Sequence, residues 1–169
     1  MPYSSGGYDA EVGDFIRLAQ PRAVLDIGAG AGKYGAIVKQ ASPGTHVTAL
    51  EPDSDYVERF GLGDIYDTVL VADAEALMQD VDAEFDVVIL GDVIEHLRKS
   101  AGIDLLNFLV YRARTILVIF PLRHRQGSYE GHVQEAHVSV WRESDFIWCD
   151  HSYQEHGGLA LVKITGFVD

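Results

Sequence analysis

The sequence has few positive charges, a single cysteine and no long apolar run, and each shortage excludes a class of function. Lys and Arg number 13 against 26 Asp and Glu, and the resulting net charge of -13 repels the phosphate backbone of nucleic acids. Cys149 is the only cysteine, which excludes an internal disulfide and a cysteine-based zinc site and fits a reducing cytoplasm. No apolar run approaches the ~18 residues of a membrane span, and the N-terminal stretch has no basic or apolar region typical of a secretion signal. We therefore expect a cytoplasmic protein that binds neither nucleic acid nor a membrane.

Apolar segments of strand length alternate with segments of helical period along the chain. With 169 residues, 47% of them apolar, the chain is predicted to form one domain over residues 1–169. The predicted strands cover 22–28, 46–52, 67–73, 85–92 and 115–121, and the predicted helices cover 32–41, 53–60, 74–80 and 100–114. Residues 148–167 add two extended segments separated by Gly157-Gly158, a pair typical of a tight hairpin. The pattern predicts a doubly wound α/β fold, with a mostly parallel seven-stranded sheet and an antiparallel C-terminal strand.

The glycine-rich stretch "DIGAGAGKYG" over residues 26–35 is compatible at first sight with three nucleotide-binding motifs. A Walker P-loop is excluded, because Ile27 stands where its first glycine is required and Tyr34 replaces the hydroxyl that reaches magnesium. The dinucleotide motif G-x-G-x-x-G matches by spacing, and so does the motif D-x-G-x-G-x-G, which begins at Asp26.

Acidic residues at the ends of three predicted strands distinguish between these two motifs. Glu51 lies 19 residues after Gly32 and can accept hydrogen bonds from ribose hydroxyls, which both NAD and S-adenosylmethionine carry. Asp26 opposes a diphosphate but suits an ammonium group, which only S-adenosylmethionine offers. Asp73 can accept from an adenine amino group or cap the helix that follows it, and both roles are compatible. The three positions together favour S-adenosylmethionine.

The segments "VLDIGAGAGKYG", "ALEPD", "VADAEAL", "FDVVILGDVIEHL" and "ILVIFP" follow one another in the order of a known family's motifs. In this respect the chain resembles the class I S-adenosylmethionine-dependent methyltransferases, and the hairpin resembles that family's reversed last strand. More closely, "GKYG", "DVIEHL" and "EAHVSVW" resemble a small group of bacterial and phage methyltransferases, some of them associated with glycan modification. The resemblance implies a Rossmann-like methyltransferase fold and S-adenosylmethionine as cofactor.

The same resemblance implies the cofactor contacts. The first strand and its glycines would contact the methionine part, Glu51 the ribose, Asp73 with Ala74 the adenine, and the Gly91 carbonyl the methionine amine. The full implied set is Asp26, Gly28, Ala29, Gly30, Gly32, Glu51, Pro52, Asp73, Ala74, Gly91 and Asp92.

The segment "GDVIEHL" after the fourth strand carries the candidate catalytic residues. We expect Asp92, Glu95 and His96 to be neighbours on one helical turn at the crevice, with His137 arriving from the later loop. The pattern resembles the metal site of plant small-RNA terminal 2′-O-methyltransferases and the E-x-x-E-H motif of ubiquinone-pathway O-methyltransferases, although both begin with Glu. Three interpretations remain: a divalent metal site (Mg, Mn or Zn) of Asp92, Glu95, His96 and His137, a metal-free base among Glu95, His96 and His137, or a structural role.

The predicted function is methyl transfer from S-adenosylmethionine to a small-molecule or glycan-type acceptor, at oxygen. An NAD-dependent oxidoreductase and a non-catalytic interaction module that retains the fold are the alternatives. The long segment 121–141 contains Arg123, His124 and Arg125, which can either bind a phosphate or carboxylate of the substrate or form a solvated surface. The oligomeric state is left open.

Overall fold

A single twisted sheet of seven strands organises the computed structural model, which describes residues 5–80 and 82–168. The strand order is β3-β2-β1-β4-β5-β7-β6, with the first five strands parallel and β7 antiparallel to both of its neighbours. The strands are β1 (Ala23–Ile27), β2 (His46–Leu50), β3 (Thr68–Leu70), β4 (Phe85–Gly91), β5 (Ala113–Pro121), β6 (His151–His156) and β7 (Leu159–Thr165). The helices are α1 (Asp9–Ala19), α2 (Lys33–Ala41), α3 (Ser54–Arg59), α4 (Ala74–Leu77) and α5 (Lys99–Leu109). The predicted fold class is confirmed.

The sheet is buried on both faces, as near-continuous apolar strands require. On one face the apolar residues of α1 and α2 pack against Val24 and its neighbours. On the other face α5 packs against a cluster that includes Leu25 and Ile27. Successive residues of β1 therefore point to opposite layers, which decides where each side chain at the end of the strand lies.

The helices differ from the prediction in number and in their ends. The sequence-based assignment missed α1, although Val12 and Ile16 lie one turn apart on its buried side. Helix α5 ends at Leu109 instead of 114, because β5 already begins at Ala113. The longest helices have 11 residues, and none in the described part of the chain has the length and apolarity needed to cross a bilayer.

The C-terminal hairpin forms as the Gly157-Gly158 pair predicts. Both glycines have positive φ (59° and 84°), the backbone that tight two-residue turns of this kind require. Strand β7 then returns beside β5, so that β6 becomes the edge of the sheet.

The long segment 122–150 connects β5 to β6 and contains only two short 3-10 turns, Val133–Glu135 and Glu143–Asp145. Its second half is held by Trp141, which is 1% exposed and donates from Nε1 to the Ile94 carbonyl at 3.0 Å. Lys99 Nζ lies 3.8 Å from the centre of the indole ring, a cation-π distance. These contacts hold the segment against the carboxyl ends of β4 and β5.

Candidate active site

A cavity of about 310 Å³ opens at the carboxyl ends of β1, β2 and β4. It lies where the strand order reverses between β1 and β4, the usual ligand position in open α/β sheets. We call it the first cavity. Eight of the eleven predicted cofactor residues line it, namely Gly28, Gly30, Glu51, Pro52, Asp73, Ala74, Gly91 and Asp92.

Glu51 connects the end of β2 to the glycine turn. Its Oε2 accepts from the Gly30 N–H at 2.8 Å and its Oε1 from the Asp53 N–H at 3.0 Å. Burial raises the pKa of the Glu51 carboxyl, while the two backbone hydrogen bonds oppose that rise. The carboxylate is thus held in one orientation at the cavity wall, next to the strand-to-helix turn.

Asp26, Ala29 and Gly32 do not line the first cavity. The Asp26 carboxylate is 1% exposed and lies in the layer of Val24, whereas Ile27 faces the cavity from the opposite layer. Its Oδ2 accepts from the Tyr66 hydroxyl at 2.6 Å, and burial raises the pKa of Asp26 to about 7. The expectation that Asp26 faces the crevice is therefore corrected, because its side chain lies within the core and accepts a hydrogen bond from Tyr66.

Asp73 caps α4 and also lines the first cavity. The cap is formed by its Oδ1, which accepts from the Ala76 N–H at 2.9 Å.

The residues of the first cavity that had not been predicted include Tyr56 from α3, and Gln134 and Glu135 from the segment after β5. The segment reaches α3 because Asp53 accepts from Gln134 Nε2 at 2.8 Å and its Oδ2 lies 2.7 Å from His132 Nδ1. The partners are about eighty residues apart in the sequence, and no local pattern signals such a contact.

A second cavity of about 440 Å³ adjoins the first, and Asp92 and His96 line both. Its remaining wall includes Glu95, His137, Arg123, His124, Gln126 and the Gly157-Gly158 turn. A cavity of this size accommodates a small molecule.

Glu95, His96 and His137 form a cluster beside the junction of the two cavities. One ligand atom of each residue lies within 4.8 Å of the others, and His137 Nε2 is 3.9 Å from Glu95 Oε1. The rings of His96 and His137 meet edge to face, with their centroids 4.7 Å apart. Two of these residues come from the 3-10 turn after β4 and the third from the segment after β5.

Asp92 is not part of this cluster, which corrects the predicted four-residue set. Asp92 has a φ of +56° and precedes the 3-10 turn Ile94–His96, so it does not share one helical turn with Glu95 and His96. Its Oδ2 instead accepts from the Ser5 N–H at 2.8 Å.

The electrostatics of the cluster follow from burial. Glu95 is 2% exposed, and neither of its carboxyl oxygens has a hydrogen-bond partner among the described residues. Burial, followed by the neighbouring charge of Asp92, raises the pKa of Glu95 to about 8. Burial also lowers the pKa of His96 and of His137, so both imidazoles favour the neutral form.

Backbone carbonyls determine which nitrogen of each imidazole carries the proton. His96 Nδ1 lies 3.3 Å from the Ala136 carbonyl oxygen, and His137 Nδ1 lies 3.2 Å from that of His124. A carbonyl oxygen can only accept, so Nδ1 is the protonated nitrogen and Nε2 keeps its lone pair. The cluster therefore combines two basic nitrogens with one buried carboxyl group.

Comparison with known proteins identifies the family. Residues 25–109, about half of the chain, match the family model described as "Methyltransferase domain". No curated protein sequence matches the chain significantly.

Solved structures with the same fold include several methyltransferases of low sequence identity. An O-methyltransferase family protein from Burkholderia thailandensis superposes with a TM-score of 0.68 at 13% identity, covering 94% of this chain and 55% of that one. Human N-acetylserotonin methyltransferase in complex with SAM gives a TM-score of 0.69 at 16% identity, with coverages of 95% and 52%. The N-terminal domain of EvdMO1, in the presence of SAH and D-fucose, gives 0.66 at 16%, with coverages of 99% and 85%.

The chain thus spans about half the length of the first two of these structures. At these identities the structural likeness shows the fold, while the family model assigns the sequence itself. The chain belongs to the class I S-adenosylmethionine-dependent methyltransferases.

Proposed function

We propose that the chain transfers the methyl group of S-adenosylmethionine to a hydroxyl oxygen of a small acceptor, glycan-type compounds included. The observation that carries this proposal is the meeting of two cavities at Asp92 and His96, beside the Glu95, His96 and His137 cluster. One cavity suits the donor and the other an acceptor of small-molecule size.

The first cavity fits the methyl donor by its polar groups. The Glu51 carboxylate, held by two backbone N–H groups, would accept from the ribose hydroxyls, and Asp73 with Ala74 would contact the adenine. Gly28 and Gly30, which have no side chain, would contact the methionine part, as would Gly91 through its carbonyl. The bound donor supplies an electrophilic methyl group on a sulfonium.

The cluster beside the second cavity prepares the acceptor. His96 and His137 each keep an Nε2 lone pair, so either imidazole can take the proton of an acceptor hydroxyl. Their lowered pKa keeps them unprotonated at physiological pH, the form that can accept a proton. The adjoining cavities would bring donor and acceptor together, and such positioning can supply much of the rate enhancement of a two-substrate reaction.

The same three residues also fit a divalent metal ion. Two nitrogen lone pairs and an unpartnered buried carboxyl group converge, and both imidazoles are oriented by carbonyls on their other nitrogen, as metal-binding histidines commonly are. Such an ion would lower the pKa of an acceptor hydroxyl. We propose Glu95, His96 and His137 as its ligands, a mixed set that suits zinc or manganese better than magnesium.

The comparisons support a small acceptor without naming it. N-acetylserotonin methyltransferase acts, by its name, on a small molecule, and the EvdMO1 domain was crystallised in the presence of a sugar. The family assignment also favours the methyl donor over NAD, because an oxidoreductase is supported only by the spacing of Gly30, Gly32 and Gly35.

Calorimetry with S-adenosylhomocysteine and NAD tests the donor site. We expect S-adenosylhomocysteine to bind and NAD not to bind. Replacing Glu51 by Gln should weaken the binding of S-adenosylhomocysteine by roughly 10- to 100-fold, because the substitution removes the charge that strengthens the hydrogen bond to the ribose. Glu58→Gln, a change at an exposed position of α3, is the control and should leave Kd unchanged. Tight binding of NAD without binding of S-adenosylhomocysteine would overturn the proposal.

Transfer from isotopically labelled S-adenosylmethionine to a panel of sugars and small hydroxyl compounds tests the chemistry. His137→Ala should reduce turnover at least about tenfold without changing donor affinity, whereas the exposed His156→Ala should retain activity. Activity that a chelator abolishes and manganese or zinc restores supports the metal, while chelator-resistant activity supports the metal-free base. Donor binding without transfer to any acceptor would instead support a non-catalytic module.

A further inference from the structure

Arg123 is a cation without a partner in an acidic protein. It forms no ion pair and no hydrogen bond with the described residues, and it is the only lysine or arginine among those residues that lines the second cavity. Six other lysines and arginines pair with carboxylates, namely Arg17–Asp14, Lys33–Asp9, Lys39–Asp67, Arg59–Glu130, Lys99–Asp145 and Arg114–Asp86. With a net charge of -13, an uncompensated guanidinium at a cavity wall is available for a ligand.

The position of Arg123 is defined by the chain on both sides of it. The Leu122 N–H donates to the Gly158 carbonyl at 2.9 Å, which joins the start of the segment to the hairpin turn. On the other side, the His124 carbonyl accepts from His137 Nδ1 at 3.2 Å and so connects the segment to the catalytic cluster. Arg123 thus lies between the Glu95, His96 and His137 cluster and the Gly157-Gly158 turn.

The neighbouring wall leaves space for a ligand. Gly157 and Gly158 line the second cavity, and a Cβ added at either would meet nothing within 4 Å. No side chain from the turn therefore competes with a ligand beside Arg123.

Charge is distributed unevenly around the second cavity. Asp92 lies at the junction with the first cavity, whereas Arg123 lines only the second cavity. An anionic group of an acceptor would be repelled at the junction and attracted by Arg123. This distribution orients an acceptor, with its anionic group at Arg123 and its hydroxyl at the cluster.

We propose that the acceptor carries an anionic group, a carboxylate or a phosphate, and that Arg123 binds this group. The inference rests on the proposed function, because it assigns the second cavity to the acceptor. A guanidinium matches both anions with two parallel hydrogen bonds, so Arg123 determines acceptor class as well as orientation.

Binding of defined probes to the protein saturated with S-adenosylhomocysteine tests the proposal. The probes are para-hydroxybenzoate, para-hydroxyphenyl phosphate and the neutral para-hydroxybenzyl alcohol, measured by calorimetry. We expect at least one anionic probe to bind at least about tenfold more tightly than the alcohol. Tighter binding of the benzoate assigns a carboxylate acceptor, and tighter binding of the phosphate ester assigns a phosphorylated one.

Arg125 offers a matched control for Arg123. It lies two residues further on, is exposed, carries the same charge and lines neither of the two cavities. Arg123→Gln should weaken the preferred anionic probe by roughly 10- to 100-fold and leave the alcohol unchanged, whereas Arg125→Gln should change Kd less than about twofold.

Three outcomes would overturn the proposal: equal affinity for the alcohol and both anions, no effect of Arg123→Gln, or equal effects of the two variants. Equal effects would indicate that the combined positive charge of Arg123 and Arg125, and not a contact with Arg123, attracts the anion. The same probes can be titrated without S-adenosylhomocysteine, so these results do not depend on the outcome of the donor experiment. Methyl transfer to neutral acceptors alone, unaffected by Arg123→Gln, would remove the anion site and leave the proposed function intact. Anion binding at Arg123 in a protein that binds no donor would keep the anion site and overturn the proposed function.

Discussion

Replacing Asp26 by asparagine should make the folding stability less dependent on pH. The Asp26 carboxylate is 1% exposed and accepts a hydrogen bond from Tyr66, yet burial raises its pKa to about 7. The native protein therefore holds a proton on this group at pH values where the unfolded chain has released it. Asparagine has a similar shape and no charge to bury.

The sign and size of the effect follow from linkage. A raised pKa means that the stabilising contribution is fully present below the unfolded value of 3.8 and is lost as the pH rises through about 7. A shift of roughly three pK units corresponds to at most about 4 kcal/mol. Between pH 4 and pH 8, the free energy of unfolding of Asp26→Asn should therefore rise relative to that of the native protein by up to about this amount. Other buried carboxyls with raised pKa values, such as Glu51 and Glu95, are common to both proteins, and their contributions cancel in the difference.

Urea unfolding at a series of pH values measures this difference, with the fluorescence of the buried Trp141 as the probe. Asp104→Asn, at an exposed position of α5, is the matched control. Parallel stability curves for the native protein and Asp26→Asn would refute the reasoning, because they would mean that Asp26 releases its proton equally in the folded and unfolded states.

Three further predictions concern packing and partners. Gly91→Ala should destabilise the protein by about 1 to 3 kcal/mol, because an added Cβ would lie 1.8 Å from the Tyr34 ring, and a lowered Tm measures it. Trp141→Phe should cost about 1 to 3 kcal/mol in urea unfolding, since the Ile94 carbonyl loses its indole donor; an unchanged midpoint would contradict this. In a gel-shift assay we expect no sub-micromolar binding of a random DNA duplex, because the net charge of -13 opposes it.

The sequence by itself determined those strands, helices and turns that are set by residues close together along the chain. Alternating apolar strands and helices predicted the doubly wound sheet, and Gly157-Gly158 predicted the hairpin, because these signals arise from local backbone geometry. Glu51 and Asp73 could be placed at the cavity from sequence, since the carboxyl ends of parallel strands open at one edge of a sheet.

Only the tertiary structure decided which side chains face the cavities and which meet each other. Both faces of β1 are buried, so its apolar pattern does not indicate that Asp26 lies in the layer opposite Ile27. Asp92 has a left-handed backbone conformation that the sequence does not signal, and it is not among the three residues of the cluster. His137 joins Glu95 and His96 because the segment after β5 is held in place by contacts from distant parts of the chain. Packing between residues far apart in sequence therefore assembled the candidate catalytic cluster, because side-chain direction and long-range proximity are properties of the folded chain and not of any local pattern.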